Sequence, residues 1–95
     1  MPICLILDFP QLSVDDRDAV AKAINWPAEW ADGCYAHGAG NADDGLRVVE
    51  LWESREHWER FLQDRLQRGI GEALGGRARP PQVTEVELAR FELQG

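Results

Sequence analysis

A chain of 95 residues, 44% hydrophobic and 28% charged, has the size of one small domain. Such a domain buries only roughly 60 to 65% of the surface its unfolded chain exposes, so self-association would add to its stability. The formal net charge of −7, with arginines and carboxylates interspersed, leaves no basic stripe for phosphates and argues against nucleic-acid or anionic-membrane binding.

No apolar run approaches the roughly 20 residues of a membrane span. The start, Met1-Pro2-Ile3-Cys4, lacks the basic region of a secretory signal, so a cytoplasmic location is expected. Ile3 to Phe9 is a nearly continuous apolar run closed by Pro10, the pattern of a central strand covered on both faces. Ser13 then supplies an N-cap hydroxyl with a carboxylate three residues on, which predicts a helix from about Val14 to about Asn25. Val20, Ala23 and Ile24 are its expected core residues; Asp15, Arg17, Asp18 and Lys22 are expected to face outward.

Pro27 forces Trp26 into an extended conformation and stops that helix, so a loop carrying Trp26 and Trp30 follows. Gly33 to Gly38 reads as a second strand, Ala39 to Gly45 as turn chemistry, and Leu46 to Trp52 as a third strand that closes a hairpin. Ser54 caps a second helix, in which Trp58, Phe61, Leu62, Leu66, Ile70 and Leu74 recur at three- and four-residue intervals. Gly75-Gly76 ends it, and a loop through Pro80-Pro81 leads to a last strand, Val83 to Phe91.

The order β-α-β-β-α-β predicts an α+β, ferredoxin-like domain spanning residues 1–95, an antiparallel sheet with both helices on one face. The other face is then uncovered. The first strand is apolar on both parities, and the third carries Leu46, Val48 and Trp52 on one and Val49 and Leu51 on the other. A second copy of the sheet is therefore expected to cover the bare face, giving a homodimer. Cys4 and Cys34 lie inside predicted strands and read as small buried apolar groups.

At Val49-Glu50-Leu51-Trp52-Glu53-Ser54 leading into His57-Trp58-Glu59-Arg60-Phe61, the chain resembles the dimeric α/β-barrel proteins of the antibiotic biosynthesis monooxygenase type. A third-strand tryptophan, a Glu-Ser helix start and an aromatic one turn later carry the resemblance. It implies a pocket between helices and sheet, with Trp52 as a wall and Asp8 in the neighbourhood of a polar first-strand residue that several members use. Haem-degrading relatives place a histidine in the second helix about three turns after that tryptophan; Leu62-Gln63-Asp64 stand there instead, which disfavours haem chemistry.

His37, alternating with Tyr35 and Cys34 on a half-covered strand, is the best general acid/base candidate, against the plainer reading of a strand histidine bonded to a carbonyl or exposed at the hairpin end. Asp8, a carboxylate closing an apolar strand, has the profile of a proton acceptor if buried, and of a turn cap if not. His57 reads as a surface partner of Glu53 or Glu56. Glu53 and His57 have the spacing of two metal ligands on one helix face, yet no further ligand joins them, and no metal or other cofactor is expected.

Gly38-Ala39-Gly40 lacks the lysine and helix of a phosphate cradle and reads as hairpin geometry, and no Gly-x-Ser-x-Gly nucleophile elbow is present. Four tryptophans are many for so small a core, and flat rings suit an aromatic or polycyclic ligand. Trp52, Tyr35, Trp58 and Trp30 are the expected ligand contacts, together with Trp26, His57 and Phe61. The expectation is a cofactor-independent enzyme of monooxygenase, isomerase or cyclase type acting on a small aromatic or polyketide-like molecule. The alternative is a non-catalytic small-molecule-binding or stress-associated homodimer.

Overall fold

Period-two alternation decides which side of each strand faces the helices, and in this fold that alternation separates two unlike surfaces. The computed structural model describes residues 1–94. In chain order it contains β1 (Ile3–Pro10), α1 (Val14–Ala23), β2 (Cys34–Ala42), β3 (Gly45–Trp52), α2 (Arg55–Phe61), a π-helical turn (Leu62–Leu66), α3 (Gln67–Leu74), a 3-10 turn (Gly75–Arg77) and β4 (Gln82–Glu87). The sheet order is β2-β3-β1-β4 with every neighbouring pair antiparallel, so β1 is an interior strand and the arrangement is ferredoxin-like.

On β1, Ile3, Leu5, Leu7 and Phe9 are buried beneath the helices, and on β3 so are Leu46, Val48, Glu50 and Trp52. The opposite parity, with Cys4 and Ile6 on β1, Val49 and Leu51 on β3 and Val86 on β4, forms an apolar surface that no helix or strand among the described residues covers. The continuous apolar run of the first strand thus has one parity beneath helices and one on an open face. Val49 and Val86 are 41% and 47% exposed there.

Both helix starts form as their sequences direct. Ser13 and Asp16 exchange hydrogen bonds in a reciprocal capping box, and the Ser54 hydroxyl accepts from the His57 N–H. The first helix ends two residues before Asn25, which takes the left-handed conformation at φ 57°. The second helical run is interrupted by the π turn, on which Arg65 reaches back to the carbonyls of Ile24 and Glu29 at 2.8 and 2.7 Å, satisfying acceptors just beyond α1.

Two expected boundaries move. β2 runs on to Ala42, with Gly38 and Gly40 extended opposite Val49 and Arg47, so the turn shrinks to the residues just before Gly45. β4 stops at Glu87, because its neighbour β1 begins opposite it at Ile3 and the ladder runs out; Leu88 adds a last bond to the Pro2 carbonyl at 2.9 Å. Phe91, expected in that strand, stacks instead on Tyr35 with ring centroids 5.3 Å apart.

Gly69 sets the approach of α3 to α1, since a Cβ there would lie 2.3 Å from the Ile24 Cγ2. Gly69→Ala must push the helices apart and should cost about 1 to 3 kcal/mol of stability. Chemical denaturation checks this through the midpoint, with an unchanged m-value.

Candidate functional site

Between α1, the α2–α3 run and the sheet lies a narrow cavity of about 70 Å³ that opens to solvent. Leu7, Phe9, Leu46 and Val48 form its floor, Val20, Ala21 and Ile24 one wall, and Phe61, Leu66, Ile70 and Leu74 the other. Trp26 also lines it. The polar side chains of the lining are three: Arg17 from α1, His37 from β2 and Glu50 from β3. An apolar hollow with a few convergent polar groups is the usual form of a small-molecule site.

Strand register brings His37 and Glu50 together, and the packing of α1 adds Arg17. His37 and Glu50 are paired residues of the β2–β3 ladder on the helix-covered face, so their side chains stand side by side. His37 Nδ1 and Glu50 Oε2 are 2.7 Å apart, and the Trp52 indole N–H donates to Glu50 Oε1 at 3.1 Å. On the far edge of the imidazole, Arg17 donates from Nε and Nη2 to His37 Nε2 at 3.3 and 3.1 Å.

Guanidinium groups only donate, so Nε2 must present a lone pair and the ring proton must sit on Nδ1, directed at the carboxylate. Glu50 is 5% exposed, and a carboxylate this deep is costly unless hydrogen-bonded. Its partners on both oxygens meet that requirement. A buried carboxylate orienting an imidazole whose other nitrogen carries the lone pair is an arrangement able to accept a proton at that nitrogen once the Arg17 donors leave it.

His37, Trp26 and Phe61 line the cavity, with the Trp26 ring 5.4 Å from the imidazole and 5.7 Å from Phe61. The other expected residues lie elsewhere. Asp8 falls on the opposite parity of β1 from Leu7 and Phe9, hence on the open sheet face, where both its oxygens accept from Arg47 at 2.7 and 3.3 Å. It shares no surface with His37.

Trp52 is fully buried behind Glu50, packed against Trp58 and Phe61 at 5.7 and 5.4 Å, so it supports the cavity wall from the core rather than forming it. Trp58 is likewise core. Trp30 is half exposed; it stacks on Trp26 at 4.4 Å and donates its indole N–H to the Cys34 carbonyl. A bulge between Cys34 and Ala36 turns Tyr35 to the sheet's edge, where its hydroxyl donates to Glu53 at 3.3 Å.

His57 lies in a separate shallow depression with Asp32, Arg60 and Asp64, its Nδ1 2.6 Å from the Ser54 hydroxyl and its Nε2 3.2 Å from Glu53. Gly33 leaves it room. Burial, and the Glu50 charge beside it, push the Cys34 thiol up to about 12, so this sulfur stays protonated and unreactive near neutral pH.

Two residues of the site escape a reading by charge alone. Glu50 shares the parity of Leu46, Val48 and Trp52, which marks it as the one carboxylate on the buried side of β3. Arg17 lies three, four and seven residues before Val20, Ala21 and Ile24, on the same stripe of α1, although a charged residue there was expected to face outward.

No family model and no curated sequence matches the chain. Solved structures do. A candidate antibiotic biosynthesis monooxygenase from Chloroflexus aurantiacus superposes with a TM-score of 0.67 at 20% identity, covering 100% of both chains. Another from Bordetella bronchiseptica gives 0.66 at 21%, covering 94% of this chain and 98% of its own. A monooxygenase from the gene ActVA-Orf6 of Streptomyces coelicolor, in complex with the ligand nanaomycin D, gives 0.60 at 17%, covering 99% and 92%. At these identities the likeness is one of fold.

Proposed function

We propose that this chain, which folds as the antibiotic biosynthesis monooxygenase-like proteins do, is a homodimeric enzyme that takes a proton from a small, largely apolar molecule held between its helices and its sheet. The base is His37. The observation that carries this reading is the 2.7 Å contact of its Nδ1 with a buried, otherwise satisfied Glu50, which leaves Nε2 as the acceptor on the cavity wall. Leu7, Phe9, Trp26 and Phe61 present apolar and aromatic faces to an aromatic or polyketide-like body, which widens the narrow hollow as it enters; nanaomycin D is the ligand named for the Streptomyces coelicolor structure. Loss of a proton from a phenol or enol leaves an electron-rich anion that can react with dioxygen, rearrange or cyclise, chemistry that in principle requires no cofactor.

The dimer would form through the open face. Ile6, Val49, Leu51 and Val86 lie together on it, and a chain of this size gains from burying such a surface. A structure sharing the fold, from Bacteroides fragilis, is described as dimeric. Light scattering should find twice 10.7 kDa for the natural chain. Val49→Asp, which places a carboxylate in the apolar contact, should give the single mass with unchanged circular dichroism.

Turnover of a panel of hydroxyanthraquinone-like compounds tests the base. His37→Gln should lower kcat by about 10² to 10⁴-fold, the usual contribution of a general base, and an unchanged rate would remove His37 from the mechanism. A second reading, a homodimer that holds a ligand or answers stress without turnover, is favoured by the two Arg17 N–H groups that occupy Nε2. Quenching of tryptophan fluorescence with no product formed would support it.

A further inference from the structure

The base at the cavity wall is capped. Nε2 of His37 has one lone pair, and both Arg17 Nε and Nη2 point at it. No proton can be accepted at that atom until the guanidinium moves aside. Arg17 can move, because its contacts with His37 are to a single atom, its Nη1 is held at 3.0 Å by Asp18 at the solvent side, and α1 anchors only its Cα. Yet leaving Nε2 takes the acceptor from two of its N–H groups at the mouth of an apolar hollow, Asp18 holding only Nη1, which is unfavourable unless another acceptor replaces the imidazole.

Resting on the reading of His37 as the base, we infer that Arg17 is a positioning residue that keeps Nε2 capped until a ligand oxygen draws its donors away. The ligand class follows from the geometry. It has an apolar body for the Leu7, Phe9, Trp26 and Phe61 surfaces and one acceptor oxygen, a carbonyl or oxyanion, adjacent to the acidic C–H or O–H. When that oxygen takes the Arg17 N–H groups, Nε2 is freed beside the acidic hydrogen. The proton passes to Nε2, the electron pair stays on the ligand and is delocalised onto its oxygen, and Arg17 faces the charge that develops. Glu50 faces the imidazolium that forms. A ligand without an oxygen at that place fills the hollow but leaves the base capped.

The capping is read by the rate at which diethyl pyrocarbonate, an acylating agent that needs a free imidazole lone pair, modifies each histidine, followed by peptide mass spectrometry. Arg17→Met keeps the stem and removes the donors; Arg17→Lys keeps one charged donor group. His37 should be modified about tenfold faster in Arg17→Met than in the natural protein and at an intermediate rate in Arg17→Lys. His57, 3.2 Å from Glu53 in its own depression, should react at the same rate in all three and so reports an intact fold.

The ligand class is read by calorimetric titration with indan-1-one and with indane, the same bicycle with and without a carbonyl. The natural protein should bind the ketone about fivefold more tightly, and Arg17→Met should bind the two equally. Equal His37 reactivity in the natural protein and Arg17→Met would overturn the inference, as would a ketone preference that survives Arg17→Met, or the absence of binding by either compound. None of these readouts uses turnover. A natural protein that prefers the ketone and caps His37 yet converts no substrate would therefore refute the enzymatic reading while leaving the capping in place.

Discussion

Glu50→Gln is expected to lower turnover by about 10² to 10⁴-fold, although it changes a single atom, because the defect lies in where the imidazole carries its proton. The Trp52 indole can only donate, so the new amide must turn its oxygen toward Trp52 and its NH2 toward His37 Nδ1. Nδ1 then becomes an acceptor, the ring proton moves to Nε2, and an N–H faces the Arg17 donors 3.1 and 3.3 Å away. The base has lost its lone pair toward the cavity. Glu50→Ala removes the orienting group altogether and should be no less damaging. A Glu50→Gln rate within a few-fold of the natural protein would show that Glu50 does not set the tautomer.

Trp52→Ala should be the most destabilising single truncation in the domain, at about 3 to 5 kcal/mol. The side chain is fully buried between Trp58 and Phe61, and it also donates to Glu50. Its loss both opens a cavity and strips one hydrogen bond from a buried carboxylate. For a domain of this length the midpoint of thermal unfolding should fall by roughly 4 to 8 °C per kcal/mol, which calorimetry measures directly. Trp52→Phe separates the two contributions. It keeps most of the ring volume and should lose about 1 to 3 kcal/mol, mainly through the unpaired Glu50 oxygen. Equal losses in both variants would mean that packing contributes little here.

The architecture was legible because each element carries its own local signal. The apolar run of β1, the capping box at Ser13, the Ser54 cap and the β2–β3 hairpin need no long-range information. The site was only partly legible. Asp8 and His37 are both polar residues in strands, and alternation says that each shares a face with its neighbours but not which face the helices cover. On β1 both parities are apolar, Ile3, Leu5, Leu7 and Phe9 against Cys4 and Ile6, so nothing local places Asp8 on the open side with Arg47.

β3 carries a clearer signal, since Leu46, Val48 and Trp52 flank Glu50 at even spacing and mark it as buried. Its partner is a different matter. That Glu50 meets His37 depends on the hairpin register, which a turn of uncertain length leaves open by a residue or two. Arg17 reaches Nε2 only because α1 packs across β2 at one particular height, a tertiary fact with no trace in the helix itself. The tryptophans show the same limit. Their number pointed to flat surfaces, but packing divides them, with Trp26 on the cavity, Trp30 stacked behind it and Trp52 and Trp58 in the core.

Which nitrogen of His37 holds the proton decides both the capping and the chemistry, and nitrogen-15 NMR of the imidazole reads it in the natural protein without any substrate. A protonated-type resonance at Nδ1 and an acceptor-type resonance at Nε2 of the neutral ring is the result predicted by the contacts to Glu50 and Arg17. A neutral ring with its proton on Nε2 would contradict it, since neither the capping by Arg17 nor proton acceptance at the cavity wall is compatible with that tautomer.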